Sequence, residues 1–158
     1  MIGAGRGRVR AGYGRLIPLA AVLLLGSSPP TLNAQSPRAV AVIGLDYAFQ
    51  APDTLPAGPV TLSLLNRGTV RHELLFFLLN EGRTLGELLR STTLEARMSL
   101  GSLVGLILAQ PGQPAGAQLV VDLARGRSYV FLCVLRDAPD KPPHAALGMA
   151  KALVSGEA

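Results

Sequence analysis

Cys133 is the only cysteine among the 158 residues, so no internal disulfide staples this chain. Nor does the sequence offer the roughly 20 consecutive apolar residues that crossing a bilayer requires: the N-terminal apolar run at residues 16–25 is too short. After residue 35 there is no cluster of basic residues, and therefore no footprint for a nucleic-acid partner. Internal repeats, the dinucleotide-binding glycine pattern and the phosphate-binding glycine loop are all missing. Ser128 and Ser155 have no histidine or aspartate at a recognisable catalytic spacing. Arg71, His72 and Glu73 are adjacent, and neighbours on a strand point to opposite faces, so they form no triad. A Cys-His hydrolase would need Cys133 activated by its surroundings, and the sequence shows no nucleophile-bearing helix to do so. The expectation is a protein without catalysis of its own.

What is present begins with an export signal. Arg6, Arg8, Arg10 and Arg15 precede the short apolar run, and a small residue, Ala34, follows it, which are the parts of a secretion signal covering residues 1–34. The whole chain carries 15 Lys+Arg against 10 Asp+Glu, but four of the arginines fall in the signal. The remainder is 11 against 10, so the basic balance is a targeting feature. Residues 35–158 are then one exported domain, periplasmic or secreted, with no stable membrane insertion once the signal is removed. A lone thiol in an oxidising compartment is usually paired, metal-bound or reactive, so Cys133 needs protection.

Alternation and turns dominate that domain. Residues 39–49 (AVAVIGLDYAF) read as a strand, the turn-rich APDTLPAGP follows, and VTLSLLN at 60–66 alternates as a sheet with one wet face does. HELLFFLL at 72–79 suits a buried strand. Thr84 with Glu87 three residues on forms a capping box before Leu85, Leu88 and Leu89, which predicts one short helix over 84–90. The stretch up to Gly116 mixes Gly, Ser and Pro with an apolar patch at 102–109, and reads as an insertion or a loop-helix segment. Strands are again expected at 118–123, at 129–135 and, closing the chain, at 149–154. Six or seven short strands with turn signals between them make an all-β sandwich.

Two histidines, one cysteine and a methionine are the residues that could act together. His72 opens a strand, Cys133 ends the penultimate one, His144 lies in the loop after it, and Met149 starts the last. Taken singly, each has a plainer role: a cysteine in an apolar strand packs as a small hydrophobe, methionine fills core gaps, and histidines sit in loops. Should they converge at one end of the sandwich, two imidazoles and a thiolate with a weak thioether are the ligand set of a blue-copper site. Coordination would also deprotonate the lone exported thiol and occupy its sulfur.

Here the sequence resembles the cupredoxins, the plastocyanin-like blue (type 1) copper proteins. The resemblance lies in N-x-G-x-x-x-H at Asn66, Gly68 and His72, in Y-x-F-x-C at Tyr129, Phe131 and Cys133, and in H-x4-M at His144 and Met149. It implies a Greek-key β-sandwich with copper held by His72, Cys133 and His144 and, axially, by Met149, exchanging electrons with a redox partner protein. Two departures stand out. Ten residues separate Cys133 from His144, with Pro139, Pro142 and Pro143 among them, and Glu73 stands where the small blue-copper proteins often have an Asn. A carboxylate there would alter the groups that orient the ligands. The rival readings are a copper-free sandwich that binds a partner, using the 102–109 patch if it is exposed, and a copper carrier using the same ligands.

Overall fold

The computed structural model describes residues 36–156, and the expected secretion signal lies outside them. Nine strands run in chain order: β1 Arg38–Leu45, β2 Ala48–Gln50, β3 Thr54–Pro56, β4 Gly58–Asn66, β5 His72–Leu79, β6 Gly101–Ala109, β7 Leu119–Leu123, β8 Ser128–Leu132 and β9 Ala150–Gly156. Two short helices, α1 Leu85–Arg90 and α2 Leu94–Met98, separate β5 from β6, and a single 3-10 turn spans His144–Leu147. The strands form a four-stranded sheet, β2-β1-β4-β7, and a five-stranded sheet, β3-β9-β8-β5-β6. The chain passes between the sheets five times, so strands distant in sequence become neighbours, as the all-β sandwich expectation requires.

Burial periodicity explains the assignments. Along β4, Val60, Leu62, Leu64 and Asn66 are buried and alternate with half-exposed positions, the period of two of a strand with one face inward. Strand β5 is buried on both faces, which is why its sequence shows no alternation. Its Leu74 and Phe76 enter the sandwich interior with Val42, Leu62, Phe131 and Leu153, while Phe77 and Leu79 pack on the other side with Leu88, Val130 and Leu132. Phe76 stacks on Tyr129, with centroids 5.1 Å apart, and touches Phe131 at 5.3 Å. Each such fully buried aromatic contributes about 2–3 kcal/mol relative to exposure.

Helix α1 starts as the sequence predicts: the Thr84 hydroxyl accepts from Glu87 N–H at 3.2 Å, and the Glu87 carboxylate accepts from Thr84 N–H at 2.8 Å. The segment beyond it departs from expectation. It contains a second helix, α2, and residues 101–109 form no loop but a nine-residue strand, β6, paired antiparallel with β5. Its glycines had suggested looseness, yet a Cβ on Gly101 would lie 2.1 Å from the Leu78 carbonyl oxygen, so glycine there permits close approach to β5. Strand β6 is an edge of its sheet, with Leu103, Leu106 and Leu108 exposed and Ile107 and Ala109 buried. Two further corrections concern boundaries. Strand 39–49 is a hairpin, β1 and β2, broken at Asp46 and Tyr47, and the supposed turn at 51–59 contains β3, parallel to β9.

Candidate metal centre

The centre lies where β1 and β4 end and β5 begins, near the exit of β8. Asn66 closes β4 and is fully buried; its side-chain amide donates to the carbonyls of Val70 (2.8 Å) and Ala109 (3.2 Å), and its carbonyl oxygen accepts from Gly68 N–H at 2.8 Å. These bonds shape the 67–71 turn, which delivers His72 as the first residue of β5. The other side of the centre is fixed by main-chain bonds. Cys133 N–H donates to Met149 O (3.1 Å), Ala145 N–H donates to Cys133 O (2.7 Å), and Met149 N–H donates to His144 O (2.9 Å). His144 N–H donates to Leu135 O at 2.8 Å, so the long 134–143 segment is an excursion closed at its neck. Its length therefore leaves the Cys133, His144 and Met149 backbone tied together.

The side chains converge accordingly. Cys133 Sγ lies 3.3 Å from His144 Nδ1 and 4.0 Å from His72 Nδ1, and the two Nδ1 atoms are 3.2 Å apart. All three residues are buried, and their ligand atoms lie within 4.8 Å of one another. Met149 is fully buried in the same core cluster as Cys133. A Cβ built on Gly44 would lie 3.4 Å from Met149 Cε and 3.7 Å from His72 Cδ2, which places the thioether end beside the His72 ring.

The outer nitrogens of both rings are engaged by carboxylates. His72 Nε2 lies 2.8 Å from Asp46 Oδ1, and His144 Nε2 lies 3.0 Å from Asp137 Oδ1. Burial pushes the Asp46 carboxyl upward, but bonds from the Thr69 hydroxyl and N–H, together with His72, outweigh it and bring it from 3.8 to about 2. The Tyr47 hydroxyl, donating to Asp137 at 2.5 Å, holds that carboxyl below its ordinary value as well. Ionised carboxylates only accept, so in the neutral rings the hydrogen sits on Nε2 and both Nδ1 lone pairs point inward. Two nitrogen lone pairs and a sulfur then face one another, and the Cys133 thiol has one hydrogen to share among them. Burial raises that thiol above its ordinary value, so the thiol form holds across neutral pH. This donor set, two imidazoles with a cysteine sulfur and a thioether beside them, fits a copper ion.

Glu73, the sequence feature that spoke for an altered centre, has a definite place. Its N–H donates to Cys133 Sγ at 3.4 Å, and its carboxylate accepts from Val134 N–H at 2.8 Å. The carboxylate thus fixes the chain on the C-terminal side of Cys133. Sequence reasoning missed Asp46, Tyr47 and Asp137. Asp46 and Tyr47 sit within an apolar alternating run that reads as one continuous strand, and Asp137 is one of two acids in a polar loop, so none of the three carried a local signal.

No protein-family model matches the sequence, and no curated protein matches it. Solved structures do. A reduced auracyanin from the photosynthetic bacterium Roseiflexus castenholzii matches with 17% identity and a TM-score of 0.47, over 77% of this chain and 99% of that one. Auracyanin B matches with 18% identity and a TM-score of 0.48, over 77% and 91%. Auracyanin A, a blue copper protein from the green thermophilic photosynthetic bacterium Chloroflexus aurantiacus, matches with 20% identity and a TM-score of 0.47, over 77% and 100%.

Proposed function

We propose that this is an exported protein that holds one copper ion on His72, Cys133 and His144, with Met149 as a weak axial ligand, and passes single electrons to a partner protein without catalysing a reaction. The observation that carries the reading is the buried convergence of the two Nδ1 atoms and the Cys133 sulfur, 3.2 to 4.0 Å apart, from three separate segments. Bound there, copper would supply a Cu(II)/Cu(I) couple. The protein's part is to keep the donors in place through both charge states: β5 anchors His72, the Met149 and Ala145 main-chain bonds anchor Cys133, and the 3-10 turn anchors His144. Rigid donors of mixed hardness let the charge change with little atomic movement, which favours rapid electron exchange.

The donors are buried, with the Tyr47 ring 4.8 Å from the His144 ring and with Asp46 and Asp137 on the outer ring nitrogens, an arrangement that suits the passage of an electron. In an exported chain, copper coordination would also protect the lone Cys133 from oxidation. Among the described residues no helix is long and apolar enough to cross a membrane.

Adding Cu(II) to the purified protein tests this directly. One equivalent is expected to produce an intense visible absorption from thiolate-to-copper charge transfer, and Cys133→Ser to abolish it. A protein that stays colourless, with no stoichiometric copper retained, contradicts the proposal.

A further inference from the structure

Both histidine side chains give their outer nitrogen to a carboxylate from a different part of the chain, and both carboxylates are themselves held. Asp46, at the break between β1 and β2, accepts from Thr69 N–H (2.7 Å) and the Thr69 hydroxyl (2.6 Å) while facing His72. Asp137, in the excursion after Cys133, accepts from the Tyr47 hydroxyl while facing His144. The Tyr47 ring also lies over His144, with centroids 4.8 Å apart, and meets His72 edge-on at 6.2 Å. Gly68 makes the first pair possible: a Cβ there would fall 2.0 Å from Asp46 Oδ1 and 2.8 Å from His72 Nε2. The centre is thus enclosed by two anchored carboxylates, one for each imidazole.

We propose that Asp46 and Asp137 are positioning residues for the copper centre: they lock both rings with Nδ1 inward, and their charge biases the bound ion toward Cu(II), giving the protein a low reduction potential. The inference rests on the copper reading above. Its redox half follows from charge. Reduction removes one positive charge from the centre, so a fixed anion stabilises the oxidised state more than the reduced one. An imidazole whose N–H is bonded to a carboxylate is also a more basic ligand, and metal affinity commonly falls 10- to 100-fold when such a partner is lost. The Asp46 and Asp137 side chains remain 26% and 34% exposed, so water screens part of the effect. Replacing either by asparagine keeps an acceptor for the ring N–H and deletes the charge. Each such change is expected to lower the preference for Cu(II) over Cu(I) by about threefold to tenfold, which is a rise in potential of about 30–60 mV for a one-electron couple.

Two measurements on the full chain separate the parts. In the copper-free protein at mildly alkaline pH, nitrogen NMR of the imidazoles is expected to show hydrogen on Nε2 of both rings. Asp46→Ala should disturb His72 alone, and Asp137→Ala His144 alone. Gly68→Ala, which must displace the Asp46 carboxylate, should reproduce Asp46→Ala while leaving His144 unchanged. Rings carrying hydrogen on Nδ1 in the unaltered protein overturn the positioning role, whether or not copper binds. In the copper-loaded protein, Asp46→Asn and Asp137→Asn should keep the thiolate absorption and raise the potential. Absorption retained with potentials unmoved overturns the redox role and leaves the copper site standing. The expected ring hydrogens with no thiolate absorption in the unaltered protein support the positioning role and overturn the copper reading, and with it the redox role.

Discussion

Asn66→Ala removes the side chain on which the delivery of His72 depends. The buried amide makes three hydrogen bonds, to Val70 O, Ala109 O and Gly68 N–H. A bond of this kind contributes about 0.5–1.5 kcal/mol net, and a buried partner left without one costs about 1–3 kcal/mol. Alanine strands two carbonyls and one N–H, although the turn can relax and admit water to some of them. The expected loss is therefore about 3 kcal/mol, a large share of the roughly 5–15 kcal/mol of a typical domain. Urea unfolding of the copper-free protein measures it. With a slope of about 2 kcal/mol per molar, the midpoint should fall by about 1.5 M and the slope should stay constant. Copper affinity should weaken as well, because the 67–71 turn carries Gly68, which faces the Asp46–His72 pair, and leads directly into His72. A midpoint shift below about 0.3 M would refute the reasoning, since it would mean that the three bonds are not being made in the buried turn.

Glu73→Ala leaves Val134 N–H without its acceptor and should cost about 1–3 kcal/mol in urea unfolding, whereas Glu73→Gln, which keeps an oxygen for that N–H, should cost less. Met149→Leu conserves volume and should cost under about 1.5 kcal/mol in the copper-free protein, while moving both the visible spectrum and the potential of the loaded one; unchanged spectra would remove Met149 from the ligand set. Because burial raises the Cys133 thiol above its ordinary value, a proton must leave the sulfur when Cu(II) binds. Apparent Cu(II) affinity should accordingly climb by about tenfold per pH unit through the neutral range, read by competition with a chelator; a flat profile would mean that the thiolate is not a ligand.

The strands that could be read from sequence were those with one wet face or a distinctive run. Alternation at Val60, Leu62 and Leu64 located β4, and the capping pair Thr84 and Glu87 located α1 to within a residue. Strand β6 was hidden because it is an edge strand whose outer face carries leucines and whose glycines serve close packing, so its composition mimics a loop. The break at Asp46 was hidden by the apolar residues on both sides of it, which made β1 and β2 look continuous. The convergence of His72, Cys133 and His144 could be anticipated from residue type and order, because few arrangements use two imidazoles and a thiol at strand ends. The carboxylates behind the rings could not, since they depend on where two loops fold back, and no short-range pattern encodes that. Glu73 was visible but open to misreading: its side-chain chemistry suggested disruption, whereas the register of β5 beside the Cys133 segment directs it to Val134 N–H.

X-ray absorption at the copper edge of the loaded protein tests the central claim most directly. The account predicts one copper per chain, surrounded by two imidazole nitrogens and one short thiolate sulfur, with the sulfur lost in Cys133→Ser. A coordination shell of nitrogen and oxygen alone, unchanged by that substitution, would contradict it.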